Sequence, residues 1–258
     1  MDRLELSITR QWFDSFALSF AGPEGDLHPL LDLKYHHSYR VEKNSLAISK
    51  ALDWKDAEVN LARAAGVVHD VGRFPQFANY GTFYDPHSVD HGEEGERVLM
   101  DEFPWEYLSS RSKDVLLGAT RFHNIRTIPG TLLEKDFLPI LRIVRDADKL
   151  DVFEVVKENV LSGRVQELLP GISLAPSLSR GMLEEAEKGN LASYSVVRTL
   201  MDFLLLQLTW IYDINFLPTF SLLQERGVMN WLDDFLSQDP GTERIRKDVE
   251  DYLLSRIS

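Results

Sequence analysis

Cysteine is absent from this 258-residue chain. That excludes disulfides and thiolate ligation, and leaves imidazole nitrogen and oxygen donors for any metal it holds. Basic side chains are in deficit, 28 against 41 acidic, for a formal net charge of −13. Such a balance argues against binding along a polymeric nucleic acid, which draws on a basic surface. Small anions remain admissible, because salt screens surface charge over about 10 Å. Long hydrophobic runs are also missing. The most apolar segment, VVRTLMDFLLLQLTWI from Val196 to Ile211, is interrupted by Arg198, Asp202 and Gln207 and falls short of the roughly 20 residues a bilayer requires. It reads as a buried core helix, with Arg198 and Asp202 four apart and able to pair on its one polar strip; no membrane partner is expected. Residues Met1 to Phe20 carry Asp2, Glu5 and Asp14, unlike the basic start and unbroken apolar stretch of a signal peptide, so the expected location is cytoplasmic. Alternating strand patterns are scarce, and there is no internal repeat, low-complexity tract or obvious linker.

What is present is helical periodicity. Hydrophobic residues make up 44% of the chain, ample for one core at this length, and the stripes recur at steps of three and four. From Leu30 to Leu52 one stripe runs through His37, Val41, Asn44 and Ile48. Between Trp54 and Asp70 the inward set is Leu61, Ala62, Ala65, Val68 and His69, and Gly72 and Pro75 are expected to stop that helix. Asp90 to Met100 groups His91, Gly95, Val98 and Leu99. The next helix groups Val115, Leu116, Ala119 and His123, and the one after groups Leu141, Val144 and Asp148. The expected class is all-α, one domain with a helical extension at its C-terminal end.

Each of those stripes aims a ligand-type side chain inward. A single histidine on an apolar face is more often a hydrogen-bonded core residue than a ligand, and a lone aspartate near a helix end is usually a cap. The set is different. Burying four imidazoles and two carboxylates together would cost several kcal/mol in desolvation unless cations lay between them. His37, His69, Asp70, His91, His123 and Asp148 are therefore the candidate metal ligands. Beside them, Arg73 follows Asp70 by three residues and has a fork suited to phosphate, or to an ion pair. Lys34 and Lys149 are placed either to touch substrate anions or to pair with carboxylates, and Asp151 shares a face with Asp148. His36 reads as exposed, His28 as the residue opening a helix, His87 as a loop residue and Asn124 as a helix-end cap or substrate contact.

The wording around these residues, GVVHDVGRFPQ about the His69-Asp70 doublet and LRIVRDADKLD about Asp148, resembles the HD-domain superfamily of metal-dependent phosphohydrolases. The stretch YGTF at Tyr80 to Phe83, followed by SVDHGEEG, is similar to a bacterial HD-x-G-R-F subgroup. The resemblance covers about residues 30 to 155, with a helical extension over about 156 to 258. It implies that His37, His69, Asp70 and Asp148 hold one metal, and that Asp70, His91 and His123 hold a second, as in two-metal members. The implied cofactors are two divalent ions drawn from Mn, Fe, Co, Ni and Zn, with Mg disfavoured at the imidazole-rich position. Asp70, Arg73 and Lys149 are the expected catalytic residues. The implied reaction is hydrolysis of a small phosphorylated substrate, a nucleotide, cyclic nucleotide or phosphorylated metabolite, by water activated between ions about 3.5 to 4 Å apart. Two alternatives stand beside it: a di-iron oxygenase of the same helical fold, and a non-catalytic metal-binding sensing module. The second is weakened by all six positions being filled. The amphipathic closing segment from Arg244 to Ile257 is suited to cover the bundle or a second subunit, which keeps a homodimer open.

Overall fold

The structure, a computed structural model, describes residues 1–169 and 171–257. Helices account for all its regular structure: among the described residues there is no β-strand, only an isolated bridge between Ser173 and Thr199. The all-α expectation holds. The chain divides into two compact units, Met1–Asp148 and the residues from Lys149 onward. No helix among the described residues is long and apolar enough to cross a membrane.

The first unit is built from α1 (Arg3–Leu18), α2 (Pro29–Ala51), α3 (Asp56–Val68), α4 (Arg73–Tyr80), α5 (His91–Glu102), α6 (Ser110–Phe122) and the opening of α7 (Leu138–Leu161). Helix α3 is the centre of it and packs against α1, α2 and α6. Its sequence explains why: Leu61, Ala62, Ala64, Ala65, Val67 and Val68 are all fully buried, an apolar surface nearly all round and thus a helix with neighbours on every side. The stripe through His37, Val41, Asn44 and Ile48 on α2 is buried as the spacing predicts, and the Asn44 amide donates to the Ala147 carbonyl at 3.0 Å. His28 caps α2, its Nδ1 accepting the Leu30 N–H at 3.2 Å.

Helix α3 ends at Val68, ahead of Gly72 and Pro75 as expected, but these two residues do more than follow a stop. They begin α4. Gly72 is its N-cap, and Pro75 is its third residue, where the missing N–H is one of the first-turn donors that have no helical partner anyway. Gly81 then closes the helix in the left-handed region, φ 66°, which a residue with a Cβ adopts only at a cost.

Close backbone approach draws the helix ends together. A methyl group on Gly72 would lie 2.2 Å from the His91 carbonyl oxygen and 2.5 Å from the Gly95 nitrogen, and one on Gly92 would lie 2.5 Å from the Arg121 carbonyl oxygen. The start of α4, the start of α5 and the end of α6 therefore meet backbone to backbone. Arg145 secures the same corner, donating to the His123 carbonyl at 2.9 Å and placing a buried cation at the carbonyl end of α6.

The second unit contains the rest of α7, then α8 (Val165–Leu168), α9 (Arg180–Ala186), α10 (Leu200–Thr209), α11 (Leu217–Glu225), α12 (Val228–Leu236) and α13 (Glu243–Ile257). Helix α10 is buried along its whole length, as expected of the apolar run, but it starts later than the sequence suggests. Arg198 precedes the helix, so no side-chain pair with Asp202 forms on a helical strip. Asp202 instead closes a capping box with Thr199 and accepts the Arg198 backbone N–H at 2.8 Å, because a carboxylate in a first turn meets unpaired donors.

Gly72→Ala should lower stability by about 1–3 kcal/mol, the range for overpacking a tight contact, whereas Gly130→Ala, with open space around it, should change little. Urea unfolding of the two variants checks this; equal midpoints would show that the α4–α5 contact is not tight.

Candidate metal centre

The six candidate ligands all lie in the first unit, and most occupy helix ends. His69 is the residue that closes α3, Asp70 follows it, His91 opens α5 and His123 closes α6. His37 is in the middle of α2 and Asp148 on α7. The five residues other than Asp148 are at most 5% exposed.

Hydrogen bonds fix how three of the imidazoles face. Nδ1–H of His69 donates to the Gly66 carbonyl at 2.8 Å, and Nδ1–H of His123 donates to the Thr120 carbonyl at 2.7 Å. In both cases the acceptor is three residues back, a carbonyl of the helix's own last turn. Nδ1–H of His91 donates to Asp85 Oδ2 at 2.6 Å. Each ring then presents Nε2 to the interior as a lone pair.

Those lone pairs converge on Asp70. Its Oδ2 lies 3.5 Å from His37 Nε2 and 3.7 Å from His69 Nε2; its Oδ1 lies 3.6 Å from His91 Nε2 and 3.3 Å from His123 Nε2. Asp148 Oδ1 adds to the first pair, 3.2 Å from His37 Nε2 and 3.9 Å from His69 Nε2. Two groups of donor atoms, each within 4.8 Å of one another, result: His37, His69 and Asp70, and Asp70, His91 and His123.

The donors fit cations on two observations. His69 Nε2 is buried with no hydrogen-bond partner among the described residues, which is costly for a polar atom unless something else satisfies it. His91 Nε2 and His123 Nε2 lie 3.1 Å apart, although the proton of each ring is already committed at Nδ1, so two lone pairs face each other. A positive charge between them turns that repulsion into coordination. Electrostatics agree. Burial pushes the His69 imidazole down to about 3 and, with the charge of Arg73, the His91 imidazole down to about 4, so both rings are neutral at neutral pH, the form that a metal requires. Burial works against the Asp70 carboxylate, but Lys34 and then His69 outweigh it and hold the group well below the ordinary carboxylate range.

The cationic residues are placed as follows. Lys34 Nζ is 2.7 Å from Asp70 Oδ2. Arg73 Nη1 donates to Gln76 Oε1 at 2.8 Å, the Phe83 carbonyl at 2.6 Å and Asp85 Oδ1 at 2.8 Å, while its Nε is 3.7 Å from Asp70 Oδ1. Lys149 belongs to the second unit, where its Nζ is 2.6 Å from Asp213 Oδ2; Asp151 is buried in that unit too. His36 and His87 are exposed. Asn124 donates to Asp90 Oδ1 at 2.9 Å, tying the end of α6 to the cap of α5. Asp85 and Gln76 went unread in the sequence. Asp85 lies six residues before His91 in a Tyr-Asp-Pro turn, a spacing with no helical or strand meaning, so only the fold brings the two together.

No curated protein and no solved structure matches the chain. The family model for the HD domain matches residues 35–152, a span that encloses all six candidate ligands. Over that segment the chain is similar to the HD domain.

Proposed function

We propose that this chain is a metal-dependent phosphohydrolase that cleaves a small phosphate ester at a two-cation centre, with His37, His69, Asp70 and Asp148 holding one ion and Asp70, His91 and His123 the other. One observation carries the reading: the two oxygens of a single buried carboxylate, Asp70, face two separate pairs of imidazoles. Similarity to the HD domain over residues 35–152 supports the same chemistry. When bound, paired divalent ions lower the pKa of water toward neutrality and offset the charge of a phosphoryl group.

The chain's own residues supply orientation and charge. Asp70 orients both halves of the donor set, and the helix-end carbonyls of Gly66 and Thr120 lock His69 and His123 against rotation. Among the cations, Lys34 is the one suited to meet a substrate phosphate. It is 18% exposed where Asp70 is 4% exposed, and its flexible stem can leave the carboxylate for an incoming anion. Arg73 has three acceptors on one nitrogen already, which makes it a brace for the turn after α4, and Lys149 is engaged by Asp213. The acidic surface, net −13, favours a small substrate over a nucleic-acid polymer.

Purified protein loaded with Mn should hold two equivalents by elemental analysis and release para-nitrophenol from a generic phosphate ester. Asp70→Ala should lose both equivalents and the turnover, and His123→Ala should keep one equivalent. Two bound ions with no turnover of any mono- or diester would sink the hydrolase reading and favour an oxygenase. Lys34→Gln should raise KM by roughly tenfold, the scale of one charge-assisted hydrogen bond, with a smaller change in kcat; an unchanged KM removes Lys34 from substrate binding.

Acid should destabilise the metal-free protein. His69 and His91 have folded-state values of about 3 and about 4, below the 6.5 of the unfolded chain, so the unfolded state binds protons first as pH falls. Their contribution to stability is complete above about pH 6.5 and is lost on the way down to the folded values. Thermal melts of chelator-treated protein should be level above neutrality and decline steadily between pH 6 and pH 4, a trend that level melts across this window would contradict.

A further inference from the structure

His91 differs from the other helix-end imidazoles in one respect that follows from its place in the chain. His69 and His123 close their helices, so the turn behind each supplies a carbonyl for Nδ1–H. His91 opens α5. No turn of α5 lies behind it, and Oδ1 of the cap residue beside it, Asp90, takes the N–H groups of Gly92 and Glu93 and of Asn124. An acceptor has to come from elsewhere, and Asp85 is that acceptor.

The Asp85 carboxylate is itself held on both sides. Oδ2 takes the His91 proton at 2.6 Å, and Oδ1 takes hydrogen bonds from Arg73 Nη1 and Gln76 Nε2, each at 2.8 Å. Gln76 is fully buried and its amide also donates to Ser88 Oγ at 2.8 Å and the Val89 carbonyl at 3.0 Å. Two residues of α4 thus clamp the segment that carries Asp85, and Asp85 in turn aims His91. The path from scaffold to ligand is α4, Arg73 and Gln76, Asp85, His91 Nδ1, His91 Nε2. An anionic acceptor on one ring nitrogen also makes the other a stronger donor to a metal.

On this basis, and resting on the two-cation reading above, we propose that Asp85 is the positioning residue of the second cation site: it fixes the tautomer and rotation of His91 so that Nε2 faces Asp70 Oδ1 and His123. It acts through His91 and not on the substrate. The role predicts an asymmetry, because Asp85 bonds His91 directly, whereas it reaches the site of His37, His69 and Asp148 only through Arg73 and the shared Asp70.

The test is Mn binding to the full-length chain, followed by calorimetry, with thermal melts of each variant as a folding control. Asp85→Ala should weaken the second equivalent by about 10–100-fold, the usual cost of losing such a partner, and leave the first unchanged. Asp85→Asn, which keeps an oxygen acceptor without its charge, should recover part of that loss. Ser88→Ala loosens the same segment without touching His91 and should leave both equivalents at wild-type affinity. In metal-free protein, imidazole 15N shifts should report the Nδ1–H tautomer of His91 in the wild type and a mixed population in Asp85→Ala. Wild-type protein that binds a single equivalent overturns the two-cation reading together with this role. Wild type binding two equivalents, with Asp85→Ala binding both as tightly, overturns the role alone. So does a loss in Ser88→Ala equal to that in Asp85→Ala, which would assign the effect to the segment and not the carboxylate.

Discussion

The buried carboxylate of Asp70 is the constraint around which the first unit is organised. Four imidazole nitrogens stand within 3.7 Å of its two oxygens, and no arrangement of protons satisfies them all, since at least three of the rings have committed their N–H elsewhere. Donor atoms crowded together in a poorly solvated interior repel one another, and the folding free energy of a domain is small beside the cost of several such groups. Cations reverse the sign of that interaction. The centre is therefore costly in the bare polypeptide and suited to metal.

Placing most of the candidate ligands at helix ends solves a geometric problem. A helix interior projects side chains at fixed intervals on a cylinder, so two helices rarely bring three donors to one point. Helix ends are free of that limit, and their terminal carbonyls are in need of donors, which is how Gly66 and Thr120 come to hold His69 and His123. Bringing such ends together requires backbone to meet backbone, and Gly72 and Gly92 stand where that happens. Gly72, which looks like a helix breaker in the sequence, is a spacer where these ends meet.

Legibility followed physical range. The stripe through His37, the inward set ending at His69 and the stripe to Asp148 were readable because burial of a helix face imposes a period on the residues that form it. Helix α4 was hidden by Gly72 and Pro75, whose ordinary meaning is termination; at a first turn the same two residues permit a start. Arg198 and Asp202 are four apart, yet the helix begins after Arg198, and a box of backbone donors claimed the carboxylate. Arg73 was readable as a cation near Asp70, but its engagement with Asp85, Gln76 and the Phe83 carbonyl depends on the path of the turn that follows α4.

The sequence by itself determined the all-helical class, the apolar faces and the choice of imidazole and carboxylate as the donors that face inward, because each of these depends on residue type and on neighbours within a few turns. Tertiary structure alone decided which oxygen of Asp70 meets which imidazole, that Lys34 pairs with Asp70 while Arg73 turns to Asp85, and that Asp85 takes the hydrogen bond of His91. Those relations join residues separated by turns and by whole helices. Local periodicity carries no information about them; the close approach of helix ends creates them.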